Sequence, residues 1–256
     1  MPAPVTARPA SPTGARPARW SAIGGRTVYF AHQSVGAEIV AGVEALTRAY
    51  NLPIHIVQNP EPISPTRPAF VHFFAGDRRD YASKNAAILR LLESPTRAPH
   101  PLVILKYCHG DIKGPGDGTA MFEAYRDTVD TIQFEHPDVT VVHATIPLMT
   151  IAENALKSGT KLFLGLPSER EVAVARHRYN ELLRTEFGAS EPIFDVARVQ
   201  STRPDGSIER FAFGGAFIET LAPQNTTDGY ALAPACRTVA AAELLEVLAD
   251  VIEGQS

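Results

Sequence analysis

Cysteine is scarce in this chain, and that scarcity excludes whole classes of protein. Cys108 and Cys236 are its two cysteines. They are too few for a disulfide framework and lack the spacing of a metal site. One bridge between them is an open alternative, but two free thiols in a reducing compartment are the simpler interpretation. We therefore expect no metal, and nothing in the sequence indicates another cofactor.

Long apolar runs and a strong charge of either sign are also missing. No segment approaches the roughly 18 apolar residues that cross a bilayer, and the first twenty residues hold no apolar core of a secretory signal. The formal net charge of −4 gives no bulk attraction to nucleic acid or to acidic membranes. These absences predict a cytoplasmic protein whose partner is a small-molecule substrate or ligand. They leave the oligomeric state open.

Regular alternation of strand-like and helix-like segments is the main positive signal. Five apolar runs resemble strands, at residues 27–31, 53–57, 102–107, 139–146 and 192–197. Five periodic segments resemble helices, at 37–50, 81–92, 120–136, 168–187 and 234–252. The alternation predicts one three-layer α/β/α domain over residues 26–254 with a five-stranded parallel sheet. Residues 1–25, rich in proline, are expected to be a disordered tail, and residues 198–227 to be irregular.

Ligands of such sheets bind beyond the carboxyl ends of the strands, and Ser34 lies there. It belongs to the segment HQSVG, which joins the first strand to the first helix. A serine at this turn has its hydroxyl near helix N–H groups that can stabilise an oxyanion. Serine is equally favoured as a helix N-cap, although Ala37 stands where a capping box needs Glu or Gln. Nucleophile and N-cap are both consistent with this pattern.

Seven segments, taken in order, resemble a branch of the SGNH (GDSL-type) hydrolases over about residues 27–252. They read VYFAHQSVG, AGDRRDYASKNAAIL, LKYCHGDI, HATIPL, RHRYNELLR, IFDVARVQSTRPDG and TTDGYALAPACRTVAAAELLEVL. The resemblance implies a flavodoxin-like strand order of 2-1-3-4-5. It also implies that Ser34 is the nucleophile, that Gly76 donates to the oxyanion, and that Asp228 is the aspartate of the last block.

Two positions depart from that family pattern. The last block of the family has Asp-x-x-His, but Ala231 stands at the histidine position. The third block has an oxyanion asparagine where this chain has Gly110, while Asp111 is kept. A serine hydroxyl is a poor nucleophile without an adjacent base. Either another histidine has taken over this task, or the domain no longer performs the hydrolysis.

Three histidines are candidate substitutes for the missing base. In the strand order that the resemblance implies, the strand of residues 102–107 lies about 5 Å from the first strand, so that His109 could reach Ser34, with Asp111 to orient it. His32 is near in sequence and points to the same side as Ser34 in an extended segment. His143 lies one strand farther away. His109 is the first choice, and the alternative for each is a histidine bonded within the core.

Residues around the predicted pocket could also bind substrate. The charged run of residues 77–80 (DRRD) is typical of a solvated loop, yet at the pocket rim Arg78 could bind a substrate carboxylate. His32, Asp111 and His143 are the other predicted substrate-binding residues. Cys108 is interpreted as a packing residue, since no feature of the sequence indicates a lowered pKa.

The sequence therefore predicts a serine esterase or acyl-transfer enzyme that acts on a small ester. Ser34, Gly76, His109 and Asp228 form its predicted catalytic set. The alternative is a degenerate domain that binds a small molecule without hydrolysing it. A third hypothesis is a different reaction with Asp111 or Asp228 as acid or base.

Overall fold

A computed structural model describes residues 17–58, 67–151 and 167–255. The predicted α/β architecture is confirmed, because a central sheet of five parallel strands has helices on both faces. The strands are β1 (Val28–His32), β2 (Ile56–Gln58), β3 (Phe70–Phe74), β4 (Leu102–Leu105), β5 (Thr140–Val141), β6 (His143–Ala144), β7 (Ile193–Phe194), β8 (Arg210–Phe213) and β9 (Ala216–Glu219). The α-helices are α1 (Val35–Tyr50), α2 (Tyr81–Glu93), α3 (Asp117–Glu135), α4 (Glu169–Phe187), α5 (Val196–Ser201) and α6 (Pro234–Gly254).

The strand order of the central sheet is β2-β3-β1-β4-β5. The expected position of β4 beside β1 is confirmed, with Val28 opposite Leu102. The expectation that the second strand also adjoins β1 is wrong, because β3 lies between them and pairs with both. β3 was not predicted at all. A short apolar run such as FVHFF has no periodicity that separates a buried strand from other buried segments.

The carboxyl half of the chain differs from the prediction in three places. The expected strand at 139–146 is interrupted, so that β5 pairs with β4 whereas β6 pairs with β7. The expected strand at 192–197 stops early, because the Asp195 side chain accepts a hydrogen bond from Arg198 N and caps α5. The segment 198–227, expected to be irregular, contains part of α5 and the antiparallel hairpin of β8 and β9.

Two apolar layers cover the sheet because strand residues alternate between its faces. Val28 and Phe30 pack with α1 and α6, whereas Tyr29 and Ala31 pack with α2, α3 and α4. In the parts of the chain that the structure describes, no helix is both long and apolar enough to cross a membrane.

The N-terminal segment Arg19–Gly25 is a 3-10 helix that packs on the first layer. Trp20 is fully buried there, and its indole N–H donates to Glu246 Oε1 on α6 at 3.0 Å. The disordered tail was expected to extend to residue 25. Residues 1–16 of that tail lie outside the described residues, whereas the segment from residue 19 belongs to the folded domain.

A buried pair of histidines joins β1 to β3 beneath α1. His32 Nε2 and His72 Nδ1 are 3.2 Å apart, and His32 is 1% exposed. A Cβ at Gly36 would overlap the His32 side chain, so the first turn of α1 lies directly on this imidazole. Burial, with smaller effects of Lys106 and His72, lowers the pKa of His32 to about 3. Burial also lowers the pKa of His72.

These pKa values predict that the protein loses stability in mild acid. In the unfolded chain His32 takes up a proton near pH 6.5, whereas in the folded protein it stays neutral until about pH 3. Its contribution is therefore present above pH 6.5 and is lost as the pH falls. We expect His32 alone to lower the free energy of unfolding by about 2 kcal/mol between pH 7 and pH 5.

Urea denaturation at the two pH values tests this expectation with the variant His32→Gln. The loss of unfolding free energy between pH 7 and pH 5 should be smaller in the variant by most of that amount. His100→Asn is the control, because His100 is exposed and its left-handed φ of 48° suits asparagine. An identical loss of unfolding free energy in His32→Gln and in the unmodified protein would contradict the lowered pKa of His32.

Candidate active site

Ser34 lies at the turn between β1 and α1 in a strained backbone conformation. Its φ is 46° and its ψ is −113°, outside the regions that residues with side chains normally occupy. The side chain is exposed and accepts no hydrogen bond from the first turn of α1. The serine is thus at the N-cap position without side-chain capping. A strained strand-to-helix turn is how the α/β-hydrolase fold holds its nucleophilic serine outward.

The Ser34 turn is fixed to its neighbours by polar contacts of the preceding residue. The Gln33 side-chain amide donates to the carbonyl oxygens of Ala75 and Gly76, each at 3.1 Å. The Gln33 carbonyl accepts from Lys106 Nζ at 3.4 Å. These bonds connect the turn after β1 with the loop after β3 and the end of β4. Ser34 and Gly76 are therefore brought to the same edge of the sheet.

Gly76 occupies a position that only glycine fits. Its φ is 56°, and an added Cβ would lie 2.6 Å from the backbone nitrogen of Lys84. The loop therefore passes over the start of α2 with no room for a side chain. The contact of Gly76 with the Gln33–Ser34 turn is made by its carbonyl, which accepts from Gln33 Nε2. The catalytic role of Gly76 stays a prediction.

Beneath this loop, Lys84 and Asp111 form an ion pair whose side chains are both completely buried. Lys84 Nζ lies 2.7 Å from Asp111 Oδ1 and also donates to the carbonyl of Asp77 at 2.9 Å. The second carboxylate oxygen of Asp111 accepts from Cys108 N at 2.8 Å. Asp111 was expected to orient His109 or bind substrate. Both of its carboxylate oxygens are instead engaged within the protein.

His109 lies just beyond β4, partly buried, at the same edge. Its carbonyl accepts from Arg176 Nε at 3.1 Å, and its ring centroid is 5.9 Å from that of Tyr230. Burial, together with the nearby cations Arg176 and Lys106, lowers the pKa of His109 to about 4. The imidazole is therefore neutral at neutral pH, which a general base requires. In the described ranges no hydrogen bond joins Ser34 Oγ to an imidazole.

The loop of residues 226–232 lies at the same edge as His109. The Asp228 carboxylate accepts from the backbone N–H groups of Tyr230 at 3.1 Å and Ala231 at 2.8 Å. These bonds fix the turn that presents the Tyr230 ring to His109. The Leu232 N–H donates to Glu38 Oε2 on α1 at 2.6 Å, so the loop lies against the helix that Ser34 begins. A catalytic role for Asp228 stays a prediction.

Two of the predicted histidines lie away from Ser34 Oγ. His32 points beneath α1 and pairs with His72. His143 is fully buried at the far side of the sheet, where Tyr125 Oη and Glu191 Oε2 lie 2.8 and 2.9 Å from its two ring nitrogens. Arg78, in contrast, lies exposed on the loop before α2 and contributes to the positive charge around His109.

Three cations of this edge were missed from the sequence: Lys84, Lys106 and Arg176. Lys106 is fully buried at the end of an apolar run, and Lys84 is fully buried near the start of α2, on the face that also carries Ile88 and Leu92. Arg176 lies on α4 three and seven residues before the buried Tyr179 and Leu183. Helical spacing assigns it to the apolar face. A cation on a buried face was the signal that could have identified each of them.

No family model and no curated protein matches this chain. Solved structures with a similar arrangement include a GDSL-like lipase from Bacteroides thetaiotaomicron, with 12% identity, a TM-score of 0.49, and coverage of 91% of this chain and 90% of that one. Another is the periplasmic domain of a lipopolysaccharide acetyltransferase from Salmonella ser. Paratyphi A, with 11% identity, a TM-score of 0.48, and coverage of 90% and 85% respectively. At these values the similarity assigns neither a family nor a substrate to this chain.

Proposed function

We propose that this protein is a serine hydrolase or acyl-transfer enzyme that acts on a small ester, with Ser34 as its nucleophile. The observation that carries the proposal is the backbone at Ser34. A residue in such a conformation costs about 1–3 kcal/mol and persists where its surroundings over-determine it, most often at functional sites. The strain holds an exposed hydroxyl at the carboxyl edge of a parallel sheet, where ligands of this architecture bind.

The reaction would proceed through an acyl-enzyme. Ser34 Oγ attacks the ester carbonyl and loses its proton to a base, and the oxyanion accepts from the N–H groups of Ser34 and Gly76. Collapse of the tetrahedral intermediate expels the alcohol, which takes up the proton from the base. Water or an acceptor hydroxyl then removes the acyl group from Ser34. The base accepts the proton of that water or hydroxyl and gives it to Ser34 Oγ as the bond between Oγ and the acyl carbon breaks, which restores the serine.

His109 is the base that we assign to this reaction. It is neutral at neutral pH and lies at the pocket edge that β1 and β4 share. A pKa near 4 makes it a weak base, so the oxyanion donors would supply most of the catalysis. Hydrogen bonds of catalytic groups are often long without substrate and tighten in the Michaelis complex. Asp228 would border the pocket through the turn that it holds.

A second function is favoured by a separate observation. Ala231 stands at the expected histidine position, and its N–H is held by Asp228. No imidazole among the described residues bonds to Ser34. A domain that keeps the pocket and binds a small molecule without hydrolysing it would have these features.

Intact-mass analysis after treatment with a fluorophosphonate tests the first function against the second. We expect one covalent adduct in the unmodified protein and none in Ser34→Ala, because only an activated serine reacts readily with this probe. Ser190→Ala is the matched control, since Ser190 is an exposed serine far along the chain on the loop after α4. Absence of an adduct in the unmodified protein would instead favour the binding domain.

The role of His109 is tested by replacing it with alanine. We expect His109→Ala to lower kcat/KM for an ester substrate at least about 100-fold, since general-base catalysis contributes about that much. In the unmodified protein kcat/KM should fall only as the pH drops towards 4, where His109 becomes protonated. His100→Asn, at an exposed histidine, should leave both kcat/KM and its pH dependence unchanged. Full turnover in His109→Ala would exclude His109 as the base.

A further inference from the structure

The carboxyl edge of the sheet beside Ser34 holds buried positive charge that buried carboxylates do not balance. Lys106 is fully buried and Arg176 is 7% exposed. Neither forms an ion pair with a carboxylate in the described parts of the chain. Asp111, the buried carboxylate of this edge, is engaged by Lys84. An unpaired buried charge is unfavourable. An anion that binds at this edge would therefore be stabilised by these cations.

Lys106 and Arg176 are held in place by carbonyl oxygens. Lys106 Nζ donates to Tyr107 O at 2.9 Å and to Gln33 O at 3.4 Å. Arg176 Nε donates to His109 O at 3.1 Å. Burial lowers the pKa of Arg176 to about 10, whereas Cys108 and Glu169 act in the opposite direction. At this pKa the guanidinium stays charged at neutral pH. Both cations are therefore fixed next to residues that flank the predicted reacting centre.

Arg79 reaches the same place from the loop before α2. An added Cβ at Gly110 would lie 3.5 Å from Arg79 Cγ and 3.7 Å from its Nε. The arginine stem therefore runs across the His109–Asp111 turn, over a residue that has no side chain. The φ of Arg79 is 62°, so Arg79, like Ser34, is a residue at this edge that has a positive φ without being glycine.

The acidic groups around this edge are mostly engaged in other contacts. The Asp80 carboxylate accepts from Ala82 N and caps α2. Glu38 accepts from Leu232 N, and Asp228 holds its own turn. Asp77 is exposed on the rim and forms no ion pair among the described residues. Burial is the main cause of the lowered pKa of His109, and Arg176, Lys106, Arg79 and Arg78 lower it further, which agrees with a net positive field.

We propose that the Ser34 pocket takes an ester whose acyl group carries a carboxylate, and that Arg79 and Arg176 bind this carboxylate. This inference rests on the proposed function, because the ester carbonyl must meet Ser34. A guanidinium matches the planar geometry of a carboxylate and can bind it through two parallel hydrogen bonds. These two arginines, both beside the His109–Asp111 turn, would clamp the charged end of the acyl group. The ester at its other end would then be oriented towards Ser34.

A matched pair of substrates tests this specificity. The 4-nitrophenyl esters of glutarate and pentanoate have acyl chains of equal length and differ in the terminal carboxylate. We expect kcat/KM to be at least about tenfold higher for the glutarate ester, in line with one charged hydrogen-bonded pair. Arg79→Gln should reduce this ratio towards one, mainly through a higher KM for the glutarate ester. Arg126→Gln, at an exposed arginine on α3, should keep the full ratio.

Binding to the Ser34→Ala variant separates this inference from the proposed reaction. Calorimetric titration with glutarate, compared with its neutral diamide, requires no turnover. We expect glutarate to bind, the diamide to bind at least about tenfold more weakly, and Arg79→Gln to remove the difference. Glutarate binding without hydrolysis of either ester would support the carboxylate site and refute the hydrolase. Equal hydrolysis of both esters, with no glutarate binding, would refute the carboxylate site and leave the hydrolase standing.

Discussion

Ser34 holds φ at 46° and ψ at −113°, and the groups around it are arranged so that it cannot relax. The Gln33 amide is bonded to the loop after β3, and the Gln33 carbonyl is bonded to Lys106 at the end of β4. The first turn of α1 rests on His32, with Gly36 leaving the space that this requires. Three strands thus determine one backbone conformation. This conformation holds the Ser34 hydroxyl outward, at the edge where the Gly76 loop and His109 also lie.

Much of this architecture could be predicted from the sequence, because the central strands and long helices have clear apolar patterns. The helix at 168–187 is an example, since Ser168 and Glu171 form the capping box that its start requires. β3 could not be predicted in the same way. Its sequence FVHFF has apolar residues on both faces of the sheet, so the alternation of apolar and polar residues that identifies a half-buried strand is absent. Because β3 was not predicted, the predicted neighbour of β1 on this side was β2 instead of β3.

The sequence predicted those residues of the candidate site that directly follow the end of a strand. Ser34 and His109 follow the ends of β1 and β4, and neighbouring parallel strands bring such residues together. The roles of charged residues could not be predicted, because they depend on partners distant in sequence. Lys84 and Asp111 are 27 residues apart and neutralise each other. His32 points inwards, where it pairs with His72. This pairing could not be predicted, because His72 lies on β3, the strand that the sequence pattern did not reveal.

The contact between the first and last described elements has a consequence for the connectivity of the chain. Arg19 forms ion pairs with Asp250 and Glu253, each at 2.6 Å, near the end of α6. The start of the folded part and its final helix are therefore immediate neighbours on one layer. A short linker could join them while the chain is opened at an exposed loop elsewhere, as circular permutation requires. The fold depends on which elements touch, and the order in which they are synthesised is a separate property.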